Sequence, residues 1–218
     1  FFITGNIPAA ELKPLVEKYI GSLPATDSRE KWVDWGIRPP RGKQEQEIEF
    51  MGLPSSIVVL SMTREMDYNI RHNICLEALK SILQTRCMNV IREKEGGTYA
   101  VNVNQGVVYE PVAQYSMIVE FQCDPLNAAK LKGIVYGELE RLRQQVPSRD
   151  ELMMALNSIR KKEGEARESN VYWQEKLVLY YRTGLNQADV REFEEIVDKL
   201  TPEDFLEFVR EFWENVDI

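Results

Sequence analysis

Hydrophobic residues in this 218-residue chain recur at two spacings, every second position in some segments and every third or fourth in others. A period of two predicts strands and a period near 3.6 predicts helices, because each places the apolar side chains on one face. A continuous apolar run at 56–62 predicts a central strand, and segments 44–50, 98–103 and 114–121 predict three more. The pattern therefore predicts at least four strands.

Helical patterns occupy most of the remaining chain. The longest predicted helix runs from about Tyr68 to Glu93, with apolar residues repeating at three and four. Caps and prolines at the starts, together with apolar periodicity, predict further helices over 9–19 and after Asp124, Ser148 and Thr201.

Strands come first along the chain and helices follow, without a regular strand–helix alternation. This order predicts an α+β fold, with a largely antiparallel sheet of four or more strands and helices packed on one face. Residues 25–43 contain two adjacent prolines, Pro39-Pro40, and two tryptophans, which is typical of an extended linker that still packs.

Charge and hydropathy exclude two classes of partner. The net charge is −8, and Lys and Arg are scattered among Asp and Glu. Nucleic acids are bound by basic surfaces, so we expect no nucleic-acid partner. The apolar runs reach about five residues, far below the roughly 20 that span a bilayer, so we expect no membrane span.

The cysteines Cys75, Cys87 and Cys123 do not suggest a disulfide framework. Cys75 and Cys87 share a predicted helix, and a rise of ~1.5 Å per residue separates them by about 18 Å, too far for a bond. We expect all three to be small buried hydrophobic residues.

Metal and nucleophile sites are also not indicated. The one histidine is His72, whereas a zinc site needs two or three converging ligands. His72 and Glu77 are five residues apart, a poor pairing on a helix. His72 and Cys75 could touch, but no third group is evident to orient the base. We predict no metal site and no cofactor in this chain, and we place His72 on a helix surface.

Arg92 and Tyr99 form the most distinctive candidate site, since Arg92 ends the long helix, Tyr99 begins a strand, and Gly96-Gly97 lies between them. A structural interpretation suits them: a cation favours the helix C-terminus, and a glycine can supply a left-handed cap. A functional interpretation is that a tight turn brings together a guanidinium that binds carbonyls or carboxylates and a phenol that donates to an oxyanion. Local evidence alone favours the structural interpretation.

Three segments resemble the insulinase-like (pitrilysin, M16) zinc peptidases and the mitochondrial processing peptidases. Residues 1–25, FFITGNIPAAELKPLVEKYIGSLPA, resemble that family's strand, Gly-Asn/Asp, helix and Leu-Pro segment. Residues 75–103, CLEALKSILQTRCMNVIREKEGGTYAVNV, resemble its long helix ending in Arg-Glu-x-x-Gly-x-(Ser/Thr)-Tyr-(Ser/Ala)-Val. Residues 54–62, PSSIVVLSM, are similar to its central strand, so the resemblance covers nearly the whole chain.

The resemblance implies a LuxS/MPP-like metallohydrolase module from an enzyme whose two halves close around a peptide. The family's zinc motif, His-x-x-Glu-His, is absent here, so the chain resembles the C-terminal, non-zinc-binding half. In active members that half contributes an Arg and a Tyr that hold the substrate backbone and stabilise the transition state. These match Arg92 and Tyr99. With the resemblance, we therefore prefer the functional interpretation of this pair to the structural one.

The resemblance further implies that the isolated chain has no peptidase activity and that the intact protein is a zinc metalloendopeptidase. Zinc would be bound by another module, and the partners would be a peptide substrate and the zinc-bearing N-terminal half or partner subunit. We also expect the sheet edge beside the two hairpin strands, 98–103 and 114–121, to hold the peptide as an added strand. Two alternatives remain open: a non-catalytic core or assembly subunit of the same fold, and a plain peptide-binding module.

The expected domain organisation has three parts. Residues 1–24 are predicted to be the tail of a preceding module, a strand plus a helix, 25–43 a linker, and 44–218 the C-terminal module. The chain opens on an apparent strand, which is typical of a fragment, and a targeting signal could lie upstream. Both the bacterial periplasm and the cytoplasm therefore stay open as locations.

Overall fold

The structure, a computed structural model, describes residues 1–25, 31–49, 52, 54–94, 100–186 and 189–214, without the side chains of 92–94. The chain divides into two compact units, unit 1 of residues 1–37 and 165–188 and unit 2 of residues 38–164 and 189–218. Within the described ranges, no helix is long and apolar enough to cross a membrane.

Unit 2 contains the sheet and most of the helices. Its elements are β1 (Ser56–Glu65), α2 (Ile70–Cys87), a π-helical segment (Met88–Lys94), β2 (Val101–Val108), β3 (Gln114–Cys123), α3 (Ala128–Gln144), α6 (Val190–Lys199) and α7 (Pro202–Glu214). A 3₁₀ turn, Pro125–Asn127, precedes α3, and α4 (Arg149–Ala166) extends from unit 2 into unit 1. Unit 1 contains α1 (Ala9–Tyr19) and α5 (Asn170–Thr183).

The sheet has the strand order β1-β3-β2, and both outer strands are antiparallel to β3. Val119 of β3 lies opposite Leu60 on one side and Val103 on the other. Because β1 and β2 are both antiparallel to β3, they run parallel to each other, and α2 makes the connection between them. The predicted α+β class with an antiparallel sheet is confirmed.

In the described residues the sheet has fewer strands than the sequence predicted. Of the four predicted strands, three are formed, whereas residues 44–49 form no strand and residue 50 lies outside the described ranges. The side chains of 44–49 are exposed, and Lys132 of α3 binds Glu45 there. Alternation alone predicted this strand, but a strand also needs a neighbour to pair its backbone groups.

One face of the sheet carries the core of unit 2. Alternate residues of each strand point inwards and pack with α2, α3 and the later helices, as a half-buried antiparallel sheet requires. The buried residues of the strands are Leu60, Met62, Val101, Val103, Tyr115, Met117, Val119, Phe121 and Cys123. From the helices, Leu76, Leu79, Leu83, Val135, Phe205 and Phe212 close the same cluster.

The long predicted helix over 68–93 is formed, but in two geometries. It is α-helical over Ile70–Cys87 and π-helical over Met88–Lys94. Asn69 caps its start, since its side chain accepts a hydrogen bond from the His72 N–H at 2.7 Å. The π geometry widens the last turns, and such segments are frequent at functional sites.

The helix starts predicted at Ser148 and Thr201 are both formed with reciprocal capping bonds, and each is joined to α2. In the first, the Glu151 carboxylate accepts from the Ser148 N–H at 3.0 Å, and the Glu151 N–H donates to the Ser148 hydroxyl at 3.2 Å. Arg86 of α2 also donates to both oxygens of Glu151, at 2.9 and 3.0 Å. This fork fixes the start of α4 against the end of α2.

The second capping box starts α7. The Asp204 carboxylate accepts from the Thr201 N–H, and the Asp204 N–H donates to the Thr201 hydroxyl, both at 3.1 Å. Arg71, near the start of α2, lies 2.7 Å from the same carboxylate. The two arginines therefore bind α2 near both of its ends to the first turns of α4 and α7.

In unit 1 the predicted helix over 9–19 is formed, but the strand expected over 1–4 is not. Residues 1–4 lie beside α5, where the Thr4 hydroxyl donates to the Asn170 carbonyl at 3.1 Å and the Phe2 ring lies 5.6 Å from that of Tyr181. No residue of α1 is buried, although its apolar side chains recur at helical spacing.

All three cysteines are buried and unpaired, as the sequence predicted. Burial raises the pKa of the Cys75 and Cys87 thiols to about 12 and also raises that of Cys123. Each thiol therefore packs as a small hydrophobic group.

The first capping box makes the stability of the fold depend on pH. Hydrogen bonds from Arg86, and then from Ser148, hold the pKa of Glu151 below its ordinary value, although burial partly opposes them. A carboxylate with a lowered folded-state pKa stabilises the fold above its unfolded pKa, about 4.3 for Glu, and this stabilisation is lost as pH falls through the folded pKa. We expect the free energy of unfolding of the wild type to fall more steeply below about pH 5 than that of Glu151→Gln, measured by urea titration.

The matched control removes Arg86, the main cause of the lowered pKa of Glu151. In an Arg86→Met background, the difference between Glu and Gln at position 151 should shrink. Gln retains the capping geometry, so the comparison isolates the charge. Identical pH dependences for wild type and Glu151→Gln would contradict this account.

Candidate functional site

The structure locates the chain segments that carry Arg92 and Tyr99, but not the two side chains. The Arg92 backbone lies in the π-helical segment, its side chain is outside the described residues, and Tyr99 is outside them entirely. The residues on either side are well packed: Ile91 is 0% exposed and Val101 is 1% exposed. Buried residues therefore anchor both ends of the candidate site.

A single side chain joins the helix before this site to the strand after it. The Gln84 amide of α2 donates to the Val101 carbonyl, and its oxygen accepts from the Val103 N–H at 2.7 Å. One turn further along, the Met88 sulfur accepts from the Val101 N–H at 3.4 Å. The first residues of β2 thus bond to α2 through their backbone groups.

A second polar contact joins α2 to the middle of β2. The Gln105 amide donates to Glu77 at 2.8 Å, while Lys80 and Lys162 lie 3.2 and 3.5 Å from the other oxygen of Glu77. Burial raises the pKa of Glu77, but the hydrogen bond from Gln105 and the two lysine charges together hold it below its ordinary value. Glu77 is therefore charged, and each of its two carboxylate oxygens has an amide or lysine partner.

The face of the sheet opposite α2 is open and mixed in polarity. Its exposed side chains are Ile57, Val59 and Ser61 of β1, Glu120 and Gln122 of β3, and Asn102 and Asn104 of β2, with Ile118 half-buried among them. Glu120 lies opposite both Val59 and Asn102, at the start of β2. Amide, carboxylate and aliphatic groups are therefore exposed together on this face of the sheet.

The donor groups of the described residues do not fit a zinc ion. Among the described residues, no three His, Cys, Asp or Glu side chains come together. His72 was predicted on a helix surface, but it is half-buried between the rings of Tyr115 and Phe208. Its Nε2 atom lies 3.9 Å from Glu211. His72 serves the packing of α2 against α7 and β3.

Sequence reasoning predicted Arg92 and Tyr99 as the site but missed Gln84 and Met88, which bond to the first residues of β2. Gln84 and Met88 lie beside the apolar stripe of α2, and nothing in their spacing distinguishes them from ordinary helix residues. The only sequence signal for Gln84 was that this polar residue directly follows Leu83 of the apolar stripe. The π-helical segment also has no local sequence signature.

Comparison with known proteins places this arrangement in a family. A probable zinc protease, PqqL, from Haemophilus influenzae is 28% identical over 134 residues, which cover 60% of this chain and 14% of that protein. The periplasmic protease PqqL from Escherichia coli has a similar fold, with a TM-score of 0.72 at 18% identity, over 98% of this chain and 24% of that one. A mutant of the ferredoxin protease FusC, solved in complex with Arabidopsis ferredoxin, also has a similar fold. Its TM-score is 0.75 at 17% identity, and the match covers 98% of this chain and 23% of that one.

This chain therefore spans about a quarter or less of the length of these proteins. Residues 1–159 of the 218 match the sequence profile of the peptidase M16 inactive domain. The match includes the helix, the Gly pair and the strand on which the resemblance was based. The chain belongs to the peptidase M16 inactive-domain family.

Proposed function

We propose that this chain is the zinc-free C-terminal half-module of an M16-type metalloendopeptidase, and that it supplies Arg92 and Tyr99 to a zinc site carried by another module. The observation that carries the proposal is the match of residues 1–159 to the inactive domain of a zinc peptidase family. The segment with both residues lies inside that match. The relatives are several times longer than this chain, which leaves room for a second half.

The metal belongs to another module in this proposal because no metal-binding group of donors converges in the part of the chain that the structure describes. His72 is held between aromatic rings, and Asp204 and Glu151 already bind Arg71 and Arg86. The chain's own contribution is to hold a peptide and to stabilise charge on it. Its partners are accordingly a peptide substrate and a zinc-bearing half.

Arg92 is proposed to position the peptide backbone. Guanidinium groups donate through a rigid planar fork that matches carbonyl and carboxylate oxygens. Arg92 follows the fully buried Ile91, so its backbone starts from a fixed point on the helix. A long side chain on a fixed base can reach a substrate without moving the main chain.

Tyr99 is proposed to donate its phenol hydrogen to the oxyanion that forms when the peptide carbonyl is attacked. A neutral donor aimed at developing charge favours the transition state over the ground state. Tyr99 precedes Val101 by two residues, and Val101 is both buried and hydrogen-bonded to α2.

The open face of the sheet is the best candidate for the surface along which the peptide lies. It starts beside the proposed residues, at Asn102, and continues across Glu120 to Val59. Amide groups there can bind a peptide backbone, while the aliphatic side chains can contact its side chains.

Residues 1–24 are proposed to complete a preceding module, with the Pro-rich residues 25–43 as the connection. The support is the apolar stripe of α1, including Leu12, Leu15 and Val16, none of which is buried in the structure. Residues 1–4 also lack a partner strand, and Phe1 is 90% exposed. A neighbouring sheet would bury both features.

The first prediction concerns Tyr99. In the complete protein, Tyr99→Phe removes one hydroxyl and should lower kcat on the order of 10²-fold with little change in KM, as loss of one oxyanion donor does. Steady-state peptide hydrolysis measures both constants. Tyr181→Phe is the control, because Tyr181 is an exposed tyrosine of α5. Unchanged turnover for Tyr99→Phe would exclude the proposed role.

The second prediction concerns Arg92. Arg92→Lys keeps the charge but loses the fork, so KM should rise more than kcat falls. Arg143→Lys, at an exposed position of α3, is the control. An unaltered KM for Arg92→Lys in the same hydrolysis assay would argue that Arg92 has only a structural role.

The third prediction separates the peptidase from an assembly subunit of the same fold. The isolated chain should cleave no peptide, and addition of the zinc-bearing half should give activity that a chelator abolishes. Peptide cleavage is followed by mass spectrometry. A zinc-loaded complete protein that assembles stably but cleaves nothing would favour the assembly subunit instead.

A further inference from the structure

We propose that α5 is a docking helix, through which the C-terminal module binds the module that precedes it in the complete protein. The proposal rests on the proposed function, which assigns residues 1–24 to that preceding module. It adds a surface from the later part of the chain, the exposed side of α5, against which the preceding module packs.

Unit 1 joins two segments that are far apart in sequence, residues 1–37 and 165–188, but it has almost no core of its own. Tyr172, which is 7% exposed, is the only described residue of unit 1 that is buried. The other buried hydrophobic residues of the described chain all lie in unit 2. Short helices depend on the burial of an apolar stripe for their stability. The described helices of unit 1 therefore need a further surface to cover them.

The helix α5 nevertheless has a defined start and a defined end. The Ser169 side chain caps its start by accepting a hydrogen bond from the Val171 N–H at 3.2 Å. Gly184 ends it in the left-handed conformation, with a φ of 77°, and the Gly184 N–H donates to the Tyr180 carbonyl at 2.8 Å. A helix that is already capped at both ends loses little further backbone freedom when it binds a partner.

An apolar stripe runs along the exposed side of α5. Trp173, Leu177 and Tyr180 are 39%, 38% and 48% exposed. Spacings of four and three residues place these side chains on one face of the helix. Helices that bind in apolar grooves use anchors at such spacings, and Trp and Tyr are enriched among the residues that dominate binding energy. The stripe thus has the spacing and the side chains of a protein-binding helix.

The structure contains the first contact between α5 and the proposed partner. The Thr4 hydroxyl donates to the Asn170 carbonyl at 3.1 Å, and the Phe2 ring lies 5.6 Å from the ring of Tyr181. The second contact depends on the ring of Tyr181 and not on its hydroxyl. Residues 1–4 are the segment that the proposed function assigns to a strand of the preceding module. The module that contains this strand therefore lies beside α5.

Other exposed apolar residues of unit 1 fit the same partner. Trp32 and Trp35, in the connection between the modules, are 65% and 82% exposed, and Leu15 and Tyr19 of α1 are 47% and 62% exposed. Exposed apolar surface on this scale marks an interface. The fold of this chain matches 24% of the Escherichia coli protease, so that relative has further protein in which such a partner can be found. The partner that fits is an α+β module of the same polypeptide with an apolar face.

The test measures how tightly the preceding module is bound once the connection is cut. In the complete protein, a protease recognition sequence is inserted after Arg41 and cleaved after folding. The two parts should remain together in size-exclusion chromatography. Tyr180→Glu places a charge in the stripe and should raise the Kd between the two parts by at least about 10-fold, as expected for a central interface residue.

Met154→Glu is the matched control for this substitution. Met154 is a 73% exposed residue of α4 and lies in unit 2, outside the proposed interface. The same exchange of an apolar side chain for a carboxylate should leave the Kd near that of the wild type. Circular dichroism and thermal unfolding of both variants show whether they fold.

Hydroxyl-radical footprinting gives a second readout, without any substitution in the stripe. The cut protein is oxidised before and after dilution to a concentration at which the two parts separate, and each site is quantified by mass spectrometry. Oxidation of Trp173 should rise several-fold on separation, because the stripe becomes accessible to solvent. Oxidation of Met154 should stay constant.

The outcomes separate this proposal from the proposed roles of Arg92 and Tyr99, because binding of the two parts is measured without catalysis. The proposal is overturned if the wild-type parts separate as soon as they are cut, or if Tyr180→Glu and Met154→Glu give the same Kd. It is also overturned if Tyr180→Glu leaves the Kd unchanged but converts a dimer of the complete protein into a monomer, since the stripe then binds a second copy. Unchanged turnover for Tyr99→Phe would exclude the role of that residue and leave the docking helix in place.

Discussion

Unit 2 depends on the burial of α2 against the inner face of the sheet, where Leu76, Leu79 and Leu83 are fully excluded from water. A buried Leu contributes roughly 1.5–3 kcal/mol through the hydrophobic effect, so this stripe is a large share of the stability of a domain this size. The helix also contacts α3, α6 and α7. Displacement of α2 would uncover the sheet and separate the later helices at once.

The polar contacts of α2 give this hydrophobic packing a defined position. Apolar contacts tolerate sliding, whereas hydrogen bonds do not, because they require specific distances and angles. Arg71 and Arg86 fix the two ends of α2 to helices that follow, and Gln84, near the end of α2, binds the start of β2. The Arg92 backbone lies directly beyond this fixed helix, in the π-helical segment.

The parts of the fold that sequence predicted are those with local causes. Caps such as Ser148 with Glu151 satisfy the first N–H groups of their own helix, so four consecutive residues are enough to predict them. The π-helical segment and the Gln84 contact depend on residues distant in sequence, and the strand expected over 44–50 needed a neighbour that local alternation does not reveal. Arg92 and Tyr99 were found because their spacing matches a family motif, whereas Gln84 has no such pattern.

The buried cysteines have a consequence for how this fold is held together. Disulfide exchange requires an exposed thiolate, and burial with a raised pKa suppresses it at Cys75 and Cys87. The fold therefore keeps its three thiols out of disulfide chemistry, and its stability rests on packing and hydrogen bonds instead of covalent cross-links.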